Sequence, residues 1–102
     1  MKTYFELEAD ILRWASARKI IKHSTPAAQA TKTFEEVKEL IDAIDIDDKA
    51  EIADAYGDIL VTLIIGSRIA KLDLIQCLDG AYETIKDRTG YLDKNGVFVK
   101  DV

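Results

Sequence analysis

The segment from Ile59 to Ile65 constrains the fold of this chain most, because as a helix it is apolar on nearly every side. Thr62 is its one polar residue. A helix of this kind has to be covered from several directions. The run is too short to span a membrane, which takes about twenty apolar residues. The other helices of so small a domain cannot cover it fully, so we expect that the protein is not a monomer.

Four segments have helical periodicity, each preceded by a start signal such as Thr25-Pro26 or Asp48 with Glu51. The predicted helices span residues 3–21, 25–45, 48–70 and 73–90. The Asn95-Gly96 pair that follows them predicts a hairpin with a two-residue turn. We therefore predict an all-α, four-helix bundle-like domain over residues 1–102, with a short C-terminal β-hairpin.

Composition excludes several functional classes. A net charge of -5 argues against a protein that coats nucleic acid, and we expect no nucleic acid or membrane partner. The lone Cys77 cannot form an internal disulfide and is predicted to be a small core residue. The N-terminus reaches acidic residues before any apolar run, which is not typical of a secretory signal, so we expect a cytoplasmic protein.

A compact monomer of this mass should expose roughly 5,800 Å².

Two pairs of acidic residues are spaced to share one face of a helix. Glu36 and Glu39 are three residues apart on the second predicted helix, and Asp54 and Asp58 are four apart on the third. These helices should pack antiparallel because their connection is short, which lets the pairs face each other. Four carboxylates in one pocket repel, and a divalent cation resolves that repulsion. Ligands that are all oxygen favour Mg²⁺, with Mn²⁺ as a substitute.

Each of these residues also has a purely structural interpretation. The acidic residues can form a solvated face, with Lys32 paired to Glu36 along the helix. Lys86 and Arg88 close the fourth predicted helix, where they either complement the helix dipole or hold phosphate. Trp14 is either a core residue or a platform for a nucleobase.

The order of the motifs resembles that of the MazG-like all-alpha nucleoside triphosphate pyrophosphohydrolases. The resemblance rests on Glu35-Glu36-Val37-Lys38-Glu39-Leu40 followed by Asp54-Ala55-Tyr56-Gly57-Asp58-Ile59-Leu60. Trp14-Ala15-x-x-Arg18, Gln29-x-x-Lys32 and the segments Ala81–Gly90 and Gly96–Lys100 add to it, so it covers most of the chain.

The resemblance implies magnesium held by an E-x-x-E pair on one helix and an E-x-x-D pair on the next. Glu36 and Glu39 match the first pair, and Asp58 matches the final aspartate. Ala55 stands where the family has the second pair's glutamate. Asp54 can substitute from the same face, or Glu51 and Asp54 can form a shifted pair.

We therefore predict a magnesium-dependent hydrolase that converts a nucleoside triphosphate to the monophosphate and pyrophosphate. Glu36, Glu39 and Asp58 are the predicted catalytic residues, and Asp54 joins them as a metal ligand. The predicted phosphate contacts are Lys86 and Arg88, with Lys32 as a further candidate. The predicted base contacts are Trp14 and Gln29. The alternative is a catalytically inactive helical regulatory or assembly module, which Ala55 motivates.

Overall fold

A computed structural model describes all 102 residues as five helices and one small antiparallel sheet. The elements are α1 (Tyr4–Ala17), α2 (Ile20–His23), α3 (Pro26–Asp45), α4 (Lys49–Ile69), α5 (Leu74–Ile85), β1 (Gly90–Leu92) and β2 (Phe98–Lys100). The all-α prediction is confirmed, and the C-terminal hairpin lies where the sequence places it. None of the helices combines the length and the apolar character needed to cross a bilayer.

The long helices α3 and α4 pack against each other as an antiparallel pair and form the body of the molecule. Two contacts fix their register. The hydroxyls of Thr33 and Thr62 are 2.6 Å apart and share a hydrogen bond. A Cβ on Gly66 would lie 3.1 Å from the Cβ of Gln29, so glycine permits the close approach of the two helices at this point. Helix α1 packs against α4, and short α2 connects α1 to this body.

Helices α1, α3 and α4 each begin directly after a side chain that accepts a hydrogen bond from a backbone amide of the first turn. Thr3 and Glu6 form the predicted capping box at the start of α1. The Thr25 hydroxyl accepts from the backbone of Ala28, beside Pro26 in the first turn of α3. Asp48 accepts from the backbone of Glu51, which begins α4. These local signals place the starts of α1, α3 and α4 within a residue of the prediction.

Two of the predicted helices are shorter than expected. The first ends at Ala17, because Lys19 adopts the left-handed conformation with φ 62° and α2 starts only after it. The last ends at Ile85 rather than at Gly90. Gly90 is instead a strand residue, and a Cβ there would collide with the Val99 carbonyl of the partner strand. The need for glycine at position 90 is therefore real, but its cause is the hairpin.

The hairpin turn is one residue longer than predicted. Tyr91 pairs with Val99, and the Asp93 amide donates to the Val97 carbonyl at 2.8 Å, which leaves three residues in the loop. Gly96 takes the left-handed conformation with φ 79°, as expected for a three-residue loop of this kind. The Asp93 carboxylate accepts from the amides of Asn95 and Val97, and these bonds stabilise the longer turn.

Few side chains of the single chain are buried. Seven residues are buried, and five of them are alanine or isoleucine. Cys77 is exposed on α5, so its prediction as a core residue is wrong. The chain exposes 7877 Å², well above the roughly 5,800 Å² of a compact monomer. Much apolar surface therefore has no cover within the chain.

Candidate active site

The acidic residues lie on facing parts of α3 and α4. One turn beyond the Thr33–Thr62 contact, the antiparallel register brings Glu36 of α3 level with Asp58 of α4. Asp58 is close enough to Glu39 for its charge to affect that carboxyl group. The structure thus places Glu39 beside Glu36, with Asp58 within electrostatic range of Glu39.

Glu36 is the buried member of this group. Its side chain is 8% exposed, and its Oε1 lies 3.4 Å from the ammonium nitrogen of Lys32. Its other oxygen, Oε2, is buried without any hydrogen-bond partner. Glu35, the adjacent residue, lies at the same 3.4 Å from Lys32 but its side chain is 57% exposed. A buried carboxylate oxygen with no partner is costly, and it is the kind of group that a cation satisfies.

The electrostatics of Glu39 report the same crowding. Its pKa is raised above the ordinary glutamate value, first because the protonated group can hydrogen-bond to Glu36 and second because the Glu36 charge repels it. Lys32 opposes this effect, and Asp58 adds to it. In turn, hydrogen bonds to Glu35 and Glu36 raise the pKa of Lys32. The pair Glu36 and Glu39 therefore resists carrying two negative charges without a cation.

Glu51 and Asp54 are the two candidates to replace the glutamate that is missing at position 55, and they line different cavities. Ala55 is buried. Glu51 lines a cavity of about 310 Å³ together with Glu39 and Asp42. Asp54 lines a different groove, between α1 and α4, together with Asp58. Glu51 thus shares a cavity with Glu39, whereas Asp54 and Asp58 share the groove on the α1 side.

Asp42 lines the same cavity as Glu39 and Glu51, and the motifs alone do not indicate it as a site residue. Its spacing of three from Glu39 is the signal that places it on the same face.

The donor set fits a hard divalent cation. All of its ligand atoms are carboxylate oxygens, which suit Mg²⁺ or Mn²⁺. Oε2 of Glu36 has no hydrogen-bond partner, so it is the oxygen available to coordinate such an ion. As the side chains stand, no three acidic, histidine or cysteine side chains already converge at metal-binding distance. The exposed carboxylates of Glu39 and Asp58 therefore have to turn toward an ion.

The predicted substrate contacts lie at several places. Of these residues, Lys32 alone is beside the carboxylates. Lys86 is ion-paired to Glu83 at 2.8 Å, near the end of α5. Trp14 is half exposed on α1, and the guanidinium of Arg18 lies 4.5 Å from its ring centre.

Gln29 is wedged against Gly66, and its amide donates to the Ser24 hydroxyl at 3.1 Å. The single chain does not bring Lys86, Trp14 and Gln29 to the carboxylates.

The all-α body thus carries an E-x-x-E pair, of which Glu36 is buried and Glu39 is exposed, opposite an aspartate of the next long helix. The model of the MazG nucleotide pyrophosphohydrolase domain matches residues 24–91 of the chain. The chain belongs to this family. The match runs from the residue before Thr25 to the first strand of the hairpin, and so includes every acidic residue of the site.

A solved structure shares the whole fold. The MazG-like pyrophosphohydrolase of cyanophage S-2L, solved with dGDP and three catalytic Mn²⁺ ions per active site, aligns over 100% of both chains with a TM-score of 0.74. The sequence identity is 22%, so this similarity establishes the fold. A comparison with curated proteins finds no relative that matches the chain in sequence.

Proposed function

We propose that this protein is a magnesium-dependent pyrophosphohydrolase that cleaves a nucleoside triphosphate to the monophosphate and pyrophosphate, and that it acts in the cytoplasm on the nucleotide pool. The observation that carries the proposal is the buried, partnerless oxygen of Glu36 beside the crowded Glu39. Family membership and the nucleotide and Mn²⁺ in the cyanophage protein support it. Manganese is expected to substitute for magnesium.

The proposed roles follow from charge and position. Glu36, Glu39 and Asp58 hold the cation, with Asp54 or Glu51 as a further ligand. A bound Mg²⁺ would neutralise phosphate charge and lower the pKa of water. One carboxylate of the pair, Glu39 or Glu36, accepts the proton of the attacking water. Lys32 is placed to hold phosphate oxygens at the edge of the cluster.

The remaining contacts belong to the parts of the substrate farther from the cation. We propose that Lys86 and Arg88 bind phosphate and that Trp14 and Gln29 contact the base. Since a single chain leaves these residues away from the carboxylates, the proposal includes a homodimer or homotetramer as the active form.

A panel of canonical and modified nucleoside triphosphates tests the activity, with Mg²⁺ in one arm and chelator in the other. The expected result is metal-dependent release of pyrophosphate with the matching monophosphate. Release of orthophosphate and a diphosphate would contradict the proposed bond cleavage. The Glu39→Gln variant serves as the inactive control, and the Lys94→Ala variant in the hairpin loop serves as the active one.

The alternative is a catalytically inactive assembly module of the same fold. One observation favours it: the buried Ala55 removes a carboxylate from the position of the family's E-x-x-D pair. The same panel separates the two, because a module releases no pyrophosphate from any triphosphate. An Ala55→Glu variant that gains activity over an inactive parent would support the module.

A further inference from the structure

One basic side chain, that of Lys32, lies against the carboxylates of the candidate site. Its ammonium nitrogen is 3.4 Å from Oε1 of the buried Glu36 and 3.4 Å from Oε2 of the exposed Glu35. Its charge also acts on Glu39, whose raised pKa it partly offsets. The other ion pairs of the chain involve none of the candidate metal ligands. Lys32 is therefore the one basic residue that is ion-paired within the site.

The position of Lys32 on α3 makes this contact easy to form and easy to break. It precedes Glu35 by three residues and Glu36 by four, so the three side chains share one side of the helix. A lysine that precedes its glutamate is the weaker of the two orders for such a pair. The Lys32 side chain is 53% exposed, whereas that of Glu36 is 8% exposed. The ammonium can therefore withdraw into water, and the carboxylate that it contacts cannot.

Lys32 compensates only part of the charge of Glu36. Oε1 of Glu36 faces the ammonium, but Oε2 has no partner at all. The separation of 3.4 Å is also longer than the roughly 2.7–2.9 Å of a strong charged hydrogen bond. A buried carboxylate is stabilised best by a close cation that contacts both of its oxygens. Lys32 thus holds a position at which a divalent cation would be bound more strongly.

Lys32 and a divalent cation are alternatives at the same carboxylate. Any ion that Glu36 coordinates lies close to an ammonium that is already in contact with Oε1. The two positive charges repel each other, and the burial of Glu36 limits how far water and salt can screen them. The ammonium in its present place therefore weakens the binding of an ion, and a bound ion drives the ammonium away.

A phosphate group is the partner that suits the ammonium once it has left Glu36. Lysine has a compact charge on a flexible four-carbon stem, and it binds phosphate as a point charge. Lys32 stays at the edge of the site because its backbone is fixed in α3. A phosphate held by the ion at the carboxylates would arrive within reach of this stem. Lys32 is then paired with an anion both before and after the exchange.

We propose that Lys32 is an internal counter-ion of Glu36 that a divalent cation displaces, and that the displaced ammonium then binds a phosphate of the substrate. The exchange couples the two binding events, because the ion and the phosphate each favour removal of the ammonium from the carboxylate. Such coupling is reciprocal, so each ligand strengthens the binding of the other. The inference rests on the proposed function for both the ion and the phosphate.

The Lys32→Met variant tests the exchange, with Lys2→Met as its matched control. Lys2 is ion-paired to Asp10, away from the site, so each variant loses one positive charge and at least one ion pair with a carboxylate. In chelator, Lys32→Met should melt a few degrees below Lys2→Met, because Glu36 then has no counter-ion. Equal Tm values for the two variants would contradict a counter-ion role.

Titration with Mn²⁺ alone, followed by electron paramagnetic resonance or calorimetry, measures the competition directly. Lys32→Met should bind Mn²⁺ about fivefold more tightly than wild type, as expected for removal of one charge less than a Debye length from a divalent ion in water. Lys32→Arg keeps the charge and Lys2→Met leaves the site intact, so neither should show this gain. Wild type that binds Mn²⁺ without a gain in Lys32→Met would overturn the exchange and leave the proposed function standing. Absence of binding in both proteins would refute the proposed metal site and this inference with it.

A measurement on the wild type does not depend on the stability of any variant. The side-chain Nζ resonance of Lys32, assigned by its loss in Lys32→Arg, should shift when Mg²⁺ is added, and that of Lys2 should not. Ion binding that leaves the Lys32 resonance unchanged would show that the ammonium is not displaced.

Steady-state kinetics test the second half of the exchange. At saturating Mn²⁺, Lys32→Met should raise KM for the triphosphate about tenfold, the expected loss for one charged hydrogen bond, with a smaller effect on kcat. A tighter ion together with a weaker substrate is the result that only an exchange gives. An unchanged KM would refute the phosphate contact. A wild type that releases no pyrophosphate would refute the proposed function, and the Mn²⁺ titration would still decide whether Lys32 competes with the ion.

Discussion

Replacing Glu36 with glutamine is the sharpest test of the metal site, because the chain offers a matched control next to it. Glu35 and Glu36 both lie 3.4 Å from the Lys32 ammonium, yet their side chains are 57% and 8% exposed. Glu36→Gln removes a buried charge, and Glu35→Gln removes an exposed one at the same distance from the same lysine. Any difference in stability between the two variants is therefore caused by the burial of Glu36 in the carboxylate cluster.

In chelator, we expect Glu36→Gln to stabilise the protein. A buried acceptor without a partner costs about 1–3 kcal/mol, and the amide relieves the charged part of that cost for Oε2. We expect a gain of about 1 kcal/mol in the free energy of unfolding, or about 4–8 °C in Tm. Glu35→Gln should change stability by less than about 0.5 kcal/mol.

Magnesium should reverse the order of the variants. At a hundredfold excess over Kd, a bound ion adds about 2.7 kcal/mol to the stability of the wild type and of Glu35→Gln. Their Tm should rise by roughly 10–20 °C. Glu36→Gln should gain little, because it has lost a ligand, and it should lose hydrolysis.

Thermal melts of the three proteins at one protein concentration, in chelator and in millimolar Mg²⁺, provide the measurement. If Glu36→Gln is less stable than wild type in chelator and still responds fully to Mg²⁺, then Glu36 is a structural acid held by Lys32. The reasoning for the site would then be wrong.

Three further predictions concern other groups. Burial first, and then the hydrogen bond to Glu8, raise the pKa of Tyr4 from the usual 10 to about 12. The contribution of this group to stability is therefore complete below pH 10 and is lost between about pH 10 and 12. In denaturant unfolding, Tyr4→Phe should lose less stability over this pH range than wild type. Mg²⁺ should lower the raised pKa of Glu39, which carboxyl NMR titration can follow, and an unchanged value would argue against a bound ion there. A methyl group at Gly57 or Gly80 would lie in open space, so Gly57→Ala and Gly80→Ala should each stabilise the fold by about 0.5–1 kcal/mol. Chemical denaturation measures this change. Destabilisation at either position would show that a partner chain packs against it.

Local chemistry allowed the sequence to predict the helices that hold the site. Thr25 with Pro26, and Asp48, act on backbone amides within three residues of themselves, so they fix the starts of α3 and α4 wherever those helices pack. The spacing of Glu36 and Glu39 likewise places both on one face in any α-helix. The predictions failed where a local signal had two interpretations, as at Gly90, which serves a strand and not a helix end.

The tertiary structure alone decided which carboxylate is buried. Spacing in the sequence pairs Glu36 with Glu39 but does not show whether Glu35 or Glu36 is buried. The register fixed by Thr33 with Thr62 turns Glu36 toward α4 and leaves Glu35 in solvent. The same register separates Glu51 from Asp54, which the sequence left as alternatives. Packing between distant segments carries this information, and no local spacing contains it.

The sequence alone predicted that α4 is too apolar for the other helices of one chain to cover it fully. The tertiary structure decided that this surface stays open within one chain, with Leu78 and Tyr82 exposed on α5 and Leu60 exposed on α4. The physical reason is that hydrophobic burial has no direction and no preference for the same chain. An apolar pattern predicts that a face is covered, and the three-dimensional arrangement of the helices determines whether its own chain can reach it.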